Sequence, residues 1–211
     1  MKSLFILLLA SVTSFSAVAQ DDAKAKEILD KLSAKTKAYK TIKADFQITL
    51  TNKAEGTSES QAGKIQLKGD KYILTISGQK VISDGNSMWT ILNESKEVQI
   101  NEIDEEDEGA ISPNKIFTLY EEGFKYKYVK ETNGKNIVNL YPKDAAEKSF
   151  HRITLYINKA KNEISTIKVY GKDGTVTKYS IKTFAPNTNI PDTNFSFDKT
   201  KYAGYEIIDL R

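Results

Sequence analysis

The chain of 211 residues contains no cysteine, one histidine, one tryptophan and four prolines. Without cysteine there is no disulfide and no thiolate ligand, and His151 alone cannot assemble a His/Cys metal site within one chain. His151 stands at the head of a strand-like stretch beside Arg152, and no G-x-S-x-G elbow supplies a nucleophile for it to activate. Neither a G-x-x-x-x-G-K-[ST] loop nor a G-x-G-x-x-G turn before a helix is present, so no phosphate cradle is visible. Past the first residues nothing approaches ~18 consecutive apolar residues, the length a spanning helix needs. Charge is nearly balanced, 31 Lys and Arg against 28 Asp and Glu. The basic residues fall singly along strands, which does not support a nucleic-acid footprint. These absences predict a protein with no cofactor and no metal, and not an enzyme.

The amino terminus reads as an export signal. Lys2 gives the positive start, Leu4–Ala10 the apolar run, and Ala17-Val18-Ala19 a cleavage site before Gln20. The expected division is therefore a signal peptide at 1–19 and one domain at 20–211, large enough for a sizeable core. Export without cysteine fits a periplasmic location.

Asp21-Asp22 can cap a helix. Ala25, Ile28, Leu29, Leu32 and Tyr39 then fall on one side, with Lys24, Glu27, Lys31 and Lys35 on the other. From Ile42 onward alternation with period two dominates. Ala44, Phe46, Ile48 and Leu50 share one face; a polar loop over 52–61 follows. Residues 63–92 form a meander punctuated by Gly69-Asp70, Gly78-Gln79 and Asp84-Gly85, with Ile65, Leu67, Tyr72, Leu74 and Ile76 alternating with polar neighbours. The meander closes on Met88-Trp89, and Lys96–Ile100 pairs back on Ser87–Leu92.

Glu102 to Glu108 places six carboxylates in seven residues. It lacks the ligand spacing of a calcium loop and reads as a solvated turn. Ser112-Pro113 opens a second short helix bearing Ile116, Phe117, Leu119 and Tyr120, ended by Gly123. The remainder is antiparallel hairpins, turning at Asn133-Gly134, 158–162 and Asp173-Gly174, with a last strand near 205–210. The fold class is α+β, mainly β. About eleven strands form a strongly curved antiparallel sheet, an incompletely closed β-barrel with the N-terminal and inserted helices as its lid. Periodicity alone leaves open whether the covered face is a tight core or an apolar pocket.

Several short stretches, in order, resemble the periplasmic outer-membrane lipoprotein carrier family (LolA-like). They are Ala44-Asp45-Phe46-Gln47 after the helix, Gly63–Lys68, Val81-Ile82-Ser83-Asp84-Gly85 followed by Met88-Trp89, and Phe195-Ser196-Phe197. The resemblance implies a cavity for lipoprotein acyl chains walled by Phe46, Ile48, Leu50, Ile65, Leu67, Leu74, Ile76, Trp89 and Ile91. It implies a lid formed by Ile28, Leu29 and Leu32 with Ile116, Phe117 and Leu119. Its implied partners are acylated lipoproteins, an inner-membrane ATP-driven lipoprotein-releasing transporter and an outer-membrane acceptor, served by a monomer. The alternative on the same scaffold is a periplasmic lipid- or glycolipid-binding or lipoprotein-sensing module. In one place the chain departs from the family. Where relatives often carry an Arg-Pro whose arginine is thought to latch the lid, this chain has Lys68-Gly69-Asp70, and no arginine precedes Arg152. The latch is then Lys68, another group or missing.

Overall fold

Residues 16–103, 121 and 123–211 are described by the computed structural model, with side chains from residue 22 onward. The expected inserted helix, with Ile116, Phe117 and Leu119, and most of the acidic run lie outside the described residues.

Helix α1 spans Ser16–Lys37. It begins ahead of Asp21-Asp22 instead of being capped by them, and crosses the expected cleavage point. The stretch Ser16 to Gln20 contains no glycine or proline to stop a helix. The apolar stripe is as expected: Ala25, Ile28, Leu29 and Leu32 are buried. Lys35 and Lys37 stand in the last turn, where cations meet the negative end of the helix dipole.

Twelve strands follow: β1 (Ile42–Asn52), β2 (Thr57–Lys68), β3 (Lys71–Ile76), β4 (Gln79–Ser83), β5 (Ser87–Leu92), β6 (Glu97–Glu102), β7 (Phe124–Thr132), β8 (Lys135–Pro142), β9 (Phe150–Asn158), β10 (Glu163–Gly171), β11 (Thr175–Pro186) and β12 (Glu206–Asp209). They make one sheet in the order β12-β6-β5-β4-β3-β2-β1-β11-β10-β9-β8-β7. Two meanders are thus joined where β1 pairs with β11. All neighbours are antiparallel except β12, which lies parallel to β6. With β12 and β7 left as edges, the sheet is open and does not close into a barrel.

The expected polar loop over 52–61 is mostly strand. β1 and β2 stay in register out to Asn52 opposite Thr57. The first half of β2, Thr57 to Ala62, is exposed throughout. A strand wet on both faces gives no apolar alternation to read, and here the hydrogen-bonded ladder holds it. The hairpin at Asn133-Gly134 follows expectation: both residues have positive φ, 49° and 68°, as a type I′ turn requires.

The sheet has two faces. On the face that carries α1, called the helix face, the helix stripe packs on Phe124 and Tyr128 of β7, Val138 and Leu140 of β8, Ile153, Leu155 and Ile157 of β9, and Ile164 and Ile167 of β10. On the opposite face the carboxy-terminal segment returns across β3–β6. Its 3-10 turns, Asp192–Phe195 and Lys199–Tyr202, bring Phe195 against Ile73 and Phe197, Tyr202 and Tyr205 against Ile82, Ile91 and Val98. β12 then adds to the β6 edge.

Candidate functional site

Register decides which apolar residues share the helix face of β1–β5. Phe46 lies opposite Gly63 and Gly63 opposite Ile76; Ala44 opposite Ile65 and Ile65 opposite Leu74; Ile42 opposite Leu67 and Leu67 opposite Tyr72. Ile48 and Leu50 continue the same side of β1, facing Tyr179 and Thr177 on β11. Of the expected wall, Phe46, Ile48, Leu50, Ile65, Leu67, Leu74 and Ile76 are therefore on one face. Phe46 and Leu67 are buried, Ile48, Ile65, Leu74 and Ile76 half-buried, and Leu50 is 44% exposed. The Phe46 ring occupies the space above Gly63, 2.4 Å from where a Cβ would stand. Any larger residue at Gly63 must push that ring aside.

Trp89 and Ile91 are not part of this wall. Tyr72 pairs with Ser83 and Ser83 with Met88, so Met88 faces the site and Trp89 points through the other side of the sheet. There Trp89 stacks on Phe197 with centroids 6.1 Å apart, and Ile91 is fully buried beneath the carboxy-terminal segment. A shift of one residue along a strand exchanges faces. The residues missed on the site face are Val81 and Met88, together with Tyr39 and Phe184, whose rings lie 5.8 Å apart. Tyr72 donates to the Met88 sulfur at 3.3 Å, and burial raises its pKa above the ordinary phenol value. Alternation followed from Leu74 to Val81 across the Gly78 turn, and from Ser83 to Met88 across the Asp84-Gly85 turn, puts Met88 and not Trp89 on the site face.

The helical part of the expected lid also sits elsewhere. Ile28, Leu29 and Leu32 pack on β7–β10, in the other half of the helix face, and do not touch the wall residues of β2 and β3. Lys68 is no latch for the helix. Its ammonium donates to the Ile190 carbonyl at 3.2 Å and to Asp192 at 3.0 Å, and Lys71 reaches the same carboxylate, so both lysines fasten the carboxy-terminal segment. These lysines hold Asp192 below the usual carboxylate pKa, Lys71 contributing most.

Two carboxylates hold α1 instead. Lys37 donates to both oxygens of Glu121 at 2.7 Å and Ser33 donates to one of them. That pairing, chiefly with Lys37, lowers the Glu121 pKa. On the other flank Lys35 and Tyr39 donate to Glu163 at 2.9 and 3.2 Å. A separate cleft of about 440 Å³ lies at the turn end beside Asp192, lined by Lys68, Lys71, Asp70 and Asp84 with the Gly69 and Gly85–Asn86 turns. It has no hydrophobic side chain in its wall and is unsuited to an acyl chain.

The site is thus a half-covered apolar sheet face, with no groups of His, Asp and Glu able to hold a metal among the described residues. No helix among them is long and apolar enough to cross a membrane. Such a face can bind apolar chains. The sequence matches the family model described as outer membrane lipoprotein carrier protein LolA over residues 37–198. The chain belongs to the LolA family. Its members are carriers and binding proteins. An uncharacterized conserved protein from Thermus thermophilus has the same fold, with a TM-score of 0.57 at 13% identity, covering 88% of this chain and 99% of that one. Also similar are a putative outer membrane lipoprotein-sorting protein domain from Vibrio parahaemolyticus (TM-score 0.48, 13% identity, 86% and 99% covered) and lipoprotein LppX from Mycobacterium tuberculosis (TM-score 0.47, 11% identity, 79% and 98% covered). Comparison with curated protein sequences finds no match.

Proposed function

We propose that this LolA-family protein is a periplasmic carrier that takes lipoprotein acyl chains onto the helix face of β1–β5 and shuttles them from the inner to the outer membrane. The observation that carries the reading is the contrast within one apolar face: sealed over β7–β10, yet half-exposed at Ile48, Leu50, Ile65, Leu74 and Ile76. Folding alone gives no reason to leave these side chains uncovered. Removal of residues 1–19 would deliver residues 20–211 to the periplasm as one domain. The carrier would work as a monomer, loaded by an inner-membrane transporter and unloaded at an outer-membrane acceptor.

The energetics limit how such a carrier can act. Burying acyl chain gains about 0.8 kcal/mol per CH₂, so one chain of about fifteen methylenes is worth roughly 12 kcal/mol. Three such chains would exceed the practical ceiling of about 18–21 kcal/mol for non-covalent binding. A cargo held that tightly could not be released. Partial burial, offset by displacement of whatever covers the face in the free protein, keeps the exchange reversible.

The test is displacement of a fluorescent fatty acid by a lipopeptide, comparing the wild type with Leu74→Glu and Ile76→Glu. A carboxylate on this half-exposed face should weaken binding at least tenfold while the circular dichroism spectrum is retained. Undiminished binding in both variants would exclude the face as the acyl site.

A further inference from the structure

The opposite face is covered by the carboxy-terminal segment only over β3–β6, and α1 lies on the other side. Over β7–β11 and β1 no described element packs on it. Its composition can be followed rung by rung. Lys127 faces Asn139, then Thr154, Lys168 and Lys178, and the rung runs on to Thr49 and Ser60. On one side of it, Lys125 faces Tyr141, while Arg152 faces Tyr170 and Tyr170 faces Val176. On the other side, Lys130 faces Ile137, then Tyr156, Thr166 and Ser180. These rungs hold no aspartate or glutamate. The nearest acid on this face is Asp45 of β1, one rung beyond, which accepts from Thr183 at 2.8 Å; Glu131 pairs with Lys159 at 2.8 Å and Glu163 with Lys35 of α1 at 2.9 Å.

The cations are presented by the sheet itself. The Arg152 guanidinium lies 3.9 Å from the centre of the Tyr170 ring, with its Nε buried and without a hydrogen-bond partner. Lys168 stands 5.3 Å over Tyr156. Lys125, Lys127 and Lys130 on β7 are exposed. A guanidinium over a ring can still offer its terminal N–H donors to an incoming phosphate, and tyrosine favours the headgroup level of a bilayer.

We propose that this basic, tyrosine-bearing face is an electrostatic docking surface for an anionic lipid bilayer. The features that favour lipid over an acidic protein are the abundance of lysine and the lack of an exposed apolar anchor on these rungs. Cores of protein interfaces are depleted in lysine and centred on buried aromatic or arginine anchors. A broad sheet of separated cations instead matches a layer of phosphate headgroups. Attachment by this face leaves the half-exposed apolar site pointing away from the lipid, so adsorption and cargo handling use different sides of the molecule. The proposal is independent of the acyl-binding reading.

Co-sedimentation of the purified protein with vesicles tests it, using phosphatidylcholine alone and phosphatidylcholine mixed with phosphatidylglycerol. Binding to the anionic vesicles at low salt, absent with neutral ones and abolished at about 0.5 M salt, is the expected result. The triple variant Lys125→Gln, Lys127→Gln, Lys168→Gln should bind about a hundredfold more weakly, given the strength of one lysine near an anionic bilayer. A control triple away from the face, Lys31→Gln of α1 with Lys96→Gln and Lys161→Gln in turns, should bind within about twofold of wild type, and circular dichroism checks that both remain folded. Equal binding to neutral vesicles, no anionic binding, or equal weakening by the two triples would overturn the proposal. Binding to an acidic polypeptide without binding to anionic vesicles would assign the face to a protein and overturn it too.

Discussion

The two halves of the helix face share one sheet and one alternation, and they differ in what lies on top. Over β7–β10, α1 docks, and Val138, Leu140, Ile153 and Ile157 lose all contact with water. Over β1–β5 Ile42, Phe46, Leu67 and Tyr72 are buried, but Ile48, Ile65, Leu74 and Ile76 are only half-buried and Leu50 is exposed. On the opposite face the arrangement is reversed: the first half is covered by the carboxy-terminal segment, the second carries lysines and tyrosines. Apolar periodicity therefore marks surface that will be covered by something, without saying by what. Covering by the chain's own helix gives stability. Surface left partly open is available to a ligand.

The sharpest break of this comparison is a charge placed on each face. Ile91→Glu puts a carboxylate under the carboxy-terminal segment, where Ile91 is fully buried. It should cost more than about 4 kcal/mol, seen as loss of the cooperative urea transition. Leu74→Glu, two strands away on the open face, should leave that transition nearly in place while losing acyl binding. Equal loss of stability in the two variants would erase the distinction between the faces.

Next in size is truncation within the helix face. Leu29→Ala removes a buried contact of α1 and should destabilise by about 2–5 kcal/mol. Ile48→Ala, in the open half, should cost less than about 1 kcal/mol, since the lost side chain was already partly in water. Urea midpoints for the two variants give the measurement, and similar shifts would mean that both halves are packed alike.

Smaller again is Phe197→Ala, which unstacks the carboxy-terminal segment from Trp89. A loss of about 1–3 kcal/mol is expected, and because Trp89 is the only tryptophan, its emission should move to longer wavelength as the ring meets water. Emission identical to wild type would show that the segment does not shield Trp89.

The smallest effect concerns the tie between α1 and Glu121. Pairing with Lys37 lowers the Glu121 pKa in the folded protein. The associated stability is therefore fully present above the unfolded carboxylate value of about 4.3, and fades as pH falls through the lower folded value. Both side chains are substantially solvent-exposed, so the contribution should stay below about 1 kcal/mol. Comparing wild type with Glu121→Gln from neutral pH into acid measures it: wild type should be slightly the more stable near neutral pH, and the difference should vanish as Glu121 is protonated; a difference that persists unchanged in acid would point to another group.

Much of the fold was legible in the residues. The stripe Ala25, Ile28, Leu29, Leu32 announced a helix with one buried side, and the glycine-marked turns placed most hairpins. The motifs from Ala44-Asp45-Phe46 to Phe195-Ser196-Phe197 pointed to the family that the match over 37–198 shows. Phe195-Ser196-Phe197 also proved to be the covering of the opposite face. What could not be read has identifiable causes. β2 begins at Thr57, unannounced, because its first half is polar on both sides. Lys68 found Asp192, which lies far along the chain. The lysines that look scattered singly through Lys125, Lys127, Lys168 and Lys178 gather on one face, because strand neighbours in space are distant in sequence.

The amino-acid sequence by itself determined the period-two pattern, the positions of the turns and the supply of apolar side chains, since these depend on local backbone sterics and on burial of every second residue. Only the tertiary structure decided which face each strand presents and which face is sealed. Strand parity turns on a single residue of register, so Trp89 and Met88 exchange roles with one step. Coverage turns on where α1 and the carboxy-terminal segment dock, through contacts such as Leu29 on the β7–β10 core and Phe197 on Trp89 that no local pattern encodes.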